Sequence, residues 1–253
     1  MTNVLVFAMQ KGGVGKTTTT LNLGVNLAKR GKRVLLVDID PQGNLTQGLG
    51  IDLDALEYSI YEVLLNPEQG TAFATMATDA GVDLLPSTLD LAGAEAELAG
   101  QVGRELLLNE ALKQTREQYD YILIDSPPNL GLFTLNALAA ANQVIVPMQM
   151  HVYAFKAMPK LEKTISLVRK LNPQLAVGGI VITQYDRRTN LSHVIEQQTR
   201  QAYGDLVFET LIPLNTRLAE APAAGKPIST YDPTSPGAVA YMKLAEEVDQ
   251  RYG

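Results

Sequence analysis

A glycine-rich segment near the start of the chain has the residue types and spacing of a phosphate-binding loop. Residues 8–19 read Ala-Met-Gln-Lys-Gly-Gly-Val-Gly-Lys-Thr-Thr-Thr, between an apolar run at 4–8 and a helical pattern. Glycines allow backbone N–H groups to turn toward an anion, and the amino end of the following helix adds positive charge there. Lys16 can neutralise terminal phosphates, and the hydroxyl of Thr17 can bind Mg²⁺. The residues predicted to bind a nucleotide are Lys11, Gly12, Gly13, Val14, Gly15, Lys16, Thr17 and Thr18.

Carboxylates end two of the apolar runs. Asp38 and Asp40 close the second run, and Asp125 closes a later one, ahead of Ser-Pro-Pro. In open α/β sheets ligands bind beyond the carboxyl ends of the strands, so these carboxylates should lie near the glycine-rich loop. A carboxylate there can hold hydrated Mg²⁺ near phosphates. A lone aspartate at a strand end would equally start a turn. The glycine-rich loop followed by these two carboxylate segments predicts a site for a nucleotide with Mg²⁺.

The elements that must position these residues alternate along the chain. Buried apolar runs recur with helical segments between them, which predicts one α/β domain over residues 1–253 with a doubly wound, mostly parallel sheet covered by helices on both faces. Residues 50–80 are the least periodic part and should form short helices flanking the site. The predicted strands are Val4–Ala8, Arg33–Ile39, Val82–Pro86, Tyr121–Asp125, Gln143–Pro147, Val177–Thr183 and Leu206–Pro213. The predicted helices are Thr17–Arg30, Leu89–Leu98, Arg104–Glu117, Leu132–Ala141, Ala154–Leu171, Ser192–Tyr203 and Pro236–Tyr252.

Composition narrows the functional classes. The apolar content of 46% and charged content of 19% are typical of a globular protein. No apolar run approaches the roughly 20 residues that span a bilayer, and no signal-peptide pattern is seen. The net charge of −6 argues weakly against broad nucleic-acid affinity, although a local basic patch would suffice to meet phosphates. His151 and His193 lack metal-ligand companions and are expected to be surface or packing residues.

The loop departs from an ordinary P-loop, because Gln10 replaces the first glycine and Lys11 precedes Gly12-Gly13. It resembles the deviant Walker A motif, K-G-G-x-G-K-T, of the ParA/MinD/NifH group of P-loop ATPases. The stretches at 38–44 and 125–128 resemble the D-x-D-P-Q-G-N and D-x-P-P switch motifs of the same group. The resemblance covers essentially the whole chain and is closest to short ParA proteins of the Soj type, which partition chromosomes and plasmids. Because the chain has no cysteine, it cannot hold the iron–sulfur cluster of the nitrogenase branch.

This resemblance implies ATP and Mg²⁺ as cofactors and slow, partner-stimulated hydrolysis to ADP and phosphate. Lys11, which could otherwise be a solvated loop lysine, would cross the interface of an ATP-bound homodimer and touch the other subunit's nucleotide. Asp40 would orient the attacking water, and Asp38 would support the metal through water. The implied catalytic residues are Lys11, Lys16 and Asp40, and the implied metal-site residues are Thr17, Asp38 and Asp125.

A second set of implied contacts lies late in the chain. Pro213-Leu214-Asn215 corresponds to a P-R-N loop in which Pro213 packs on adenine and Asn215 reads the base edge. Leu214 replaces the arginine of that loop, so the arginine's contact is not expected here. His151 replaces a family glutamate and cannot supply the same charge if that glutamate pairs with the signature lysine, so a difference in dimer geometry or turnover is expected. Tyr153 keeps the family pattern.

The resemblance also implies partners. Arg188 and Arg217 match arginines that bind the backbone of double-stranded DNA nonspecifically in Soj-like proteins. The expected partner is a ParB-type centromere-binding protein, and the expected location is the cytoplasm, on the nucleoid. Lysines at 156, 160 and 163 recur at helical spacing and could extend a DNA patch or form a solvated helix face.

Alternatives within the group remain open. No N-terminal helix-turn-helix domain fits before Val4, and the acidic stretch at 241–250 is unlike a basic membrane-targeting helix, so no membrane partner is expected. One alternative is a MinD-like or other cargo-positioning ATPase that acts on a membrane or a protein assembly. Another is a metabolic enzyme that phosphorylates or ligates a small molecule, for which no second-substrate motif is visible. The cargo, whether chromosome, plasmid or protein assembly, stays open.

Overall fold

A seven-stranded sheet forms the centre of the protein in a computed structural model that describes residues 2–150 and 154–253. The strands are β1 (Asn3–Phe7), β2 (Val34–Asp38), β3 (Met76–Ala77), β4 (Asp83–Leu85), β5 (Tyr121–Asp125), β6 (Gln143–Gln149) and β7 (Ala176–Thr183). Their order is β3-β4-β2-β5-β1-β6-β7, and the pairs are parallel except β3 with β4. Parallel neighbours need helical crossovers, which place helices on the faces of the sheet.

Helices cover both faces of this sheet. They are α1 (Lys16–Lys29), α2 (Asn44–Gly48), α3 (Ile60–Leu65), α4 (Leu91–Glu97), α5 (Leu107–Ala111), α6 (Leu132–Ala140), α7 (Ala154–Val168), α8 (Asn190–Tyr203), α9 (Thr216–Ala223), α10 (Ile228–Tyr231) and α11 (Pro236–Tyr252). Successive residues of β1 point to opposite faces. Val6 packs in one apolar cluster with Phe133 of α6, and Phe7 packs in the other with Leu21 of α1. This arrangement confirms the predicted α/β fold with helices on both faces.

The carboxyl ends of β1, β2 and β5 meet at one edge of the sheet. The register pairs Phe7 with Asp125 and Asp38 with Asp125, so the two aspartates sit side by side where the loop after β1 begins. The predicted short helices in residues 50–80 are present as α3 and two 3-10 turns, Leu53–Ala55 and Pro67–Gln69.

The predicted strand at Leu206–Pro213 was wrong. That segment starts in a 3-10 turn, Gly204–Leu206. It meets β7 through a bridge between Val207 and Ile180 and through separate backbone hydrogen bonds, and a second bridge joins Pro213 to Tyr185 after β7. The N–H groups of Phe208 and Ile212 bond to the carbonyls of Ile180 and Ile182, so four residues of the segment span two of β7 and a regular ladder cannot form. The antiparallel strand β3 was not predicted, because a strand of two residues is too short to show periodicity.

The predicted helix at Arg104–Glu117 is broken into α5 and two 3-10 turns, Arg104–Leu106 and Arg116–Gln118. The buried amide of Asn136, on α6, accounts for the first break. It accepts a hydrogen bond from the N–H of Leu108 and donates one to the carbonyl of Arg104. Those two backbone groups would pair with each other in a continuous α-helix. The other predicted strands and helices agree with the structure to within a few residues at their ends.

Across residues 2–150 and 154–253, no helix combines the length and the apolar character needed to cross a bilayer.

Candidate nucleotide-binding site

The loop between β1 and α1 owes its conformation to two glycines. Gly13 and Gly15 have φ of 72° and 88°, in the left-handed region that disfavours other residues. No atom of the described residues lies within 4 Å of where a Cβ would stand at Gly12 or Gly13, so this part of the chain leaves space beside the loop. Helix α1 begins at Lys16 without a side-chain cap. Its first N–H groups are therefore free to bind an anion.

Lys16, Asp125 and Asp40 converge at the carboxyl edge of the sheet. Burial lowers the pKa of the Lys16 ammonium, and the charges of Asp125 and Asp40 oppose that shift. Asp125 Oδ2 accepts a hydrogen bond from Thr17 Oγ1 at 2.6 Å. Asp125 Oδ1 is buried and has no partner among the described atoms. The site therefore combines a buried cation with an oxygen that lacks a donor.

Burial governs the electrostatics of the two paired strand-end carboxylates. It raises the pKa of Asp125 well above its ordinary range, and the neighbouring charge of Asp38 adds to the shift. It also raises the pKa of Asp38 to about 6, although hydrogen bonds from Thr46 and Asp40 oppose the rise. An oxygen with no donor and a raised pKa both favour a cation beside Asp125.

Asp38 orders the segment after β2. Its Oδ2 accepts hydrogen bonds from the N–H and the hydroxyl of Thr46 at 2.9 and 2.8 Å, and its Oδ1 accepts one from Asp40 N at 3.2 Å. Thr46 Oγ1 in turn accepts from the N–H of Ser87, which follows β4. The sequence analysis missed Thr46, because its link to Ser87 spans 41 residues and leaves no local pattern.

Asp40 lies in the turn that follows. Its side chain is 7% exposed, and Oδ1 accepts a hydrogen bond from the N–H of Gln42 at 3.0 Å. That bond orients the carboxylate while its other oxygen, Oδ2, has no described hydrogen bond. The turn thus fixes the orientation of the Asp40 carboxylate near Lys16.

Two adjoining cavities open beside the loop. One, of about 460 Å³, is lined on one side by Gly13, Lys16 and Thr17, and on the other by α2 and α9. The second, of about 270 Å³, is lined by Pro213, Asn215 and Tyr241 among others. Together they form an elongated site with a polar end and a more apolar end. The two cavities share Gly15, Thr18 and Gln184.

The structure places Pro213 and Asn215 at the apolar end, where the sequence analysis expected an adenine. Asn215 Oδ1 accepts a hydrogen bond from the N–H of Arg217 and so caps α9. Leu214, which takes the place of the family arginine, is 60% exposed.

Lys11 does not line either cavity. Its Nζ donates a hydrogen bond to Gln149 Oε1 at 3.0 Å, at the end of β6. Sequence reasoning missed Gln149 and Gln184, because glutamines at strand ends match no chemical motif. His151 and Tyr153 lie outside the described residues.

The two candidate DNA-binding arginines are exposed and paired within the chain. The guanidinium of Arg188 donates two hydrogen bonds of 2.9 Å to the carboxylate of Asp186 in a bidentate pair. This pairing lowers the pKa of Asp186 to about 2. Arg217 pairs with Glu220 at 2.7 Å and with Asp232 at 3.5 Å.

The remaining predictions concern the basic helix and the second histidine. Lys160 and Lys163 are exposed on α7, whereas the side chain at position 156 is outside the described part. His193 Nε2 donates to the carbonyl of Arg187, so its Nδ1 accepts from the hydroxyl of Tyr185, 2.8 Å away. His193 is exposed and hydrogen-bonded within its own segment, in line with the expected surface or packing residue.

This chain is similar to known proteins over most or all of its length. Residues 2–177 match the family described as an AAA domain. The sporulation initiation inhibitor protein Soj of Bacillus subtilis is 47% identical, over 98% of each chain. The chromosome-partitioning ATPase Soj of Treponema pallidum is 44% identical, over 100% of this chain and 99% of its own. A crystal structure of cobyrinic acid a,c-diamide synthase from Mycobacterium smegmatis, with bound ADP and magnesium, has a TM-score of 0.86 and 41% identity, over 100% of this chain and 96% of its own.

Proposed function

The chain belongs to the Soj/ParA family of chromosome-partitioning ATPases, and from this membership we propose that it is a slow ATPase switch. Residues 1–253 act as one P-loop domain that dimerises on ATP, binds DNA without sequence preference, and partitions a chromosome or plasmid. The observation that carries the proposal is the convergence of Lys16, Asp40 and Asp125 at one edge of the sheet, beside an open, glycine-rich loop.

ATP fits the two adjoining cavities, with its phosphates at the polar end and its base at the apolar end. The N–H groups at the start of α1 and the ammonium of Lys16 bind the phosphates. Pro213 packs on the adenine, and the side-chain nitrogen of Asn215 is left to donate to the base, because Oδ1 already caps α9.

The donor set also fits Mg²⁺, a hard cation that prefers oxygen ligands. Thr17 Oγ1 and the partnerless Oδ1 of Asp125 would hold it, directly or through water. When bound there, Mg²⁺ would neutralise phosphate charge. Asp38 supports the site indirectly, because its own oxygens are held by Thr46 and Asp40.

Asp40 orients the attacking water. Its carboxylate accepts a hydrogen bond from that water and directs the oxygen toward the γ-phosphorus. The bond from γ-phosphorus to the bridging oxygen breaks, and ADP and phosphate leave. The N–H of Gln42 holds the Asp40 carboxylate in position for this step.

Dimerisation brings Lys11 to the nucleotide of the partner subunit. Its side chain lies outside both cavities of its own protomer and is half-buried, which leaves it within reach of another chain. Two exposed arginines from each protomer, Arg188 and Arg217, then contact DNA phosphates. Two weak patches acting together gain avidity without new contacts.

A ParB-type protein would stimulate hydrolysis, open the dimer and release the DNA. In this cycle the protein is cytoplasmic and associated with the nucleoid while ATP is bound.

Asp40→Ala tests the proposal directly. The variant should bind ATP and dimerise, yet hydrolyse ATP at least about 100-fold more slowly, because the water has lost its orienting group. Hydrolysis is measured by phosphate release, and dimerisation by sedimentation velocity. Asp54→Ala, at an exposed carboxylate in a 3-10 turn, is the matched control and should behave like the parent. Hydrolysis by Asp40→Ala at the parent rate would contradict the assignment.

A second candidate is an amide-forming synthase, favoured by the similarity to the mycobacterial structure. Formation of an amidated product from ATP, an amino donor and cobyrinic acid would support it over partition. A third, a membrane- or assembly-positioning ATPase, would show ATP-dependent co-sedimentation with anionic vesicles and no DNA retardation at low salt.

A further inference from the structure

Two glutamine side chains link Lys11 back to the phosphate-binding loop. Lys11 Nζ donates to Gln149 Oε1 at 3.0 Å, and Gln149 Nε2 donates to Gln184 Oε1 at 2.8 Å. Gln184 Nε2 then donates to the carbonyl of Gly13 at 2.6 Å. This row of hydrogen bonds, here called the amide relay, begins and ends in the same loop. Each amide both donates and accepts, so both orientations are set by the row itself.

The backbone holds Gln184 in a rare conformation. Its φ is 52°, and within residues 2–150 and 154–253 it is the one non-glycine residue with positive φ. Such a conformation is strained for a residue with a side chain and persists only where surrounding contacts require it. The preceding residue, Thr183, donates its hydroxyl to the carbonyl of Val14 at 2.8 Å. The end of β7 therefore holds two successive carbonyls of the loop.

Gln184 also faces the nucleotide cavities. It lines both of them, at the point where Gly15 and Thr18 are shared. A nucleotide that fills both cavities must therefore pass Gln184. Lys11 is outside the cavities and has Gln149 as its hydrogen-bond partner in the described part of the chain. Gln184, the relay residue that lines the cavities, is two hydrogen bonds away from Lys11.

We propose that Gln149 and Gln184 are positioning residues for Lys11. In the nucleotide-free protomer the amide relay holds the Lys11 ammonium against its own chain. A nucleotide that contacts the Gln184 amide draws it out of the row, which frees Gln149 and releases Lys11 toward the partner subunit. The release step rests on the proposed dimerising ATPase, whereas the holding step concerns only the nucleotide-free chain.

The holding step is tested on nucleotide-free protein by trace labelling with acetic anhydride. The rate at Lys11 is read by peptide mass spectrometry relative to exposed Lys170 in the same molecule. Acylation needs a Lys11 amine that the reagent can reach, and the hydrogen bond to Gln149 holds that nitrogen against its own chain. Gln149→Met should therefore raise the relative rate about threefold to tenfold, the equivalent of one hydrogen bond. Gln174→Met, at an exposed glutamine before β7, is the matched control and should leave it unchanged.

Gln184→Met is the decisive variant, because Gln184 does not touch Lys11. The relay requires Lys11 to label faster in this variant as well. Gln184→Glu keeps the oxygen that Gln149 uses and should return the rate to within about twofold of the parent. A parent-like Lys11 rate in folded Gln184→Met would overturn the relay, and circular dichroism with a thermal midpoint establishes folding. Equal slowing or acceleration of Lys11 and Lys170 would also overturn it, since that reports a global change.

The release step is tested by the ATP concentration that gives half-maximal dimerisation in sedimentation velocity. Gln149→Met removes the hydrogen bond that holds Lys11, so this ATP concentration should fall about threefold to tenfold. An unchanged value beside faster Lys11 labelling would overturn release. If the parent protein does not dimerise with ATP at all, the proposed function is wrong. The labelling experiment still tests whether the amide relay holds Lys11 in the nucleotide-free protein.

Discussion

At the scale of single residues, the site contains two buried carboxylates that are unfavourable to ionise in the absence of a cation. Asp38 and Asp125 are neighbours in the register of β2 and β5, and both are fully buried. Burial raises the pKa of both, to about 6 for Asp38. Keeping them ionised near neutral pH therefore destabilises the nucleotide-free fold. A bound cation would remove that cost, which joins ligand binding to stability.

The pH dependence of stability follows from Asp38. Between its ordinary pKa of 3.8 and its folded value of about 6, the folded state holds a proton that the unfolded state has lost. The free energy of unfolding should therefore fall as pH rises through that window. Asp38→Asn removes the effect, so its stability relative to the parent should increase by up to about 3 kcal/mol from pH 4 to pH 7, at about 1.4 kcal/mol per pKa unit.

Urea unfolding of nucleotide-free protein at pH 4, 5, 6 and 7 measures this difference. Asp54→Asn, at an exposed carboxylate, is the control and should give a constant difference. A constant difference for Asp38→Asn as well would show that Asp38 titrates at its ordinary pKa.

Substitutions of the two loop lysines, Lys16 and Lys11, should affect nucleotide binding and ATP-dependent dimerisation separately. Lys16→Ala removes the buried cation beside the phosphates and should reduce nucleotide affinity at least about 100-fold. Lys11→Ala should leave the affinity of the monomer within about threefold, because Lys11 lines neither cavity, yet it should prevent the ATP-dependent dimer. Fluorescent-nucleotide titration and sedimentation velocity give the two readouts. A Lys11→Ala variant that dimerises like the parent would remove Lys11 from the interface.

At the scale of elements, the wall of the phosphate cavity depends on a contact between two glycines. Gly50 follows α2, and Gly225 follows α9, and both have positive φ. A Cβ on Gly225 would lie 2.6 Å from the Cα of Gly50, so only glycine permits the approach. Residues from α2 and α9 face each other across the cavity, Gln47 and Gly48 on one side and Pro222 and Ala223 on the other.

Gly225→Ala should therefore separate these two helices. We expect the free energy of unfolding to fall by about 1–3 kcal/mol, as for an overpacked site, and the nucleotide affinity to fall with it. Gly93→Ala is the control: Gly93 lies within α4, its Cβ would meet nothing within 4 Å, and alanine should stabilise that helix by about 0.5–1 kcal/mol. Thermal and urea unfolding with nucleotide titration measure both. Unchanged stability in Gly225→Ala would mean that the helices can move apart freely.

At the scale of the whole molecule, the chain carries a net charge of −6 yet presents paired arginines on its surface. Arg188 and Arg217 are each neutralised by carboxylates of their own chain. DNA phosphates must compete with those carboxylates, so a monomer should bind weakly and an ATP-bound dimer more tightly.

Salt dependence tests the proposed DNA contact. Arg188→Ala should weaken the binding of the ATP-bound protein to unrelated DNA sequences by similar factors. It should also reduce the slope of log K against log salt by about 1 for each phosphate that the arginine would neutralise. Arg33→Ala is the matched control, because Arg33 is also exposed and ion-paired, with Asp120, but lies at the opposite, amino end of the strands. Equal weakening in the two variants would show that Arg188 contributes only net charge.

The sequence by itself determined the fold class, most of the strands and helices, and the composition of the nucleotide loop. These features depend on residues that are close together in the sequence. Apolar periodicity indicates which face of an element is buried. The spacing of glycines, lysines and strand-end aspartates indicates one phosphate site. The expected positions of Pro213 and Asn215 beside the loop came from the resemblance, and the structure places both there.

Only the tertiary structure decided which distant side chains meet. The bonds from Thr46 to Asp38, the amide relay at Lys11 and the break that Asn136 makes before α5 join different elements. The apolar run before Pro213 also predicted a strand that the structure does not form, since isolated bridges are present there instead of a regular ladder. Apolar burial is nondirectional and is satisfied by many neighbours, so it can be read from the chain alone. A hydrogen bond needs its partner within about 3 Å and in line, and that condition exists only once the elements have packed.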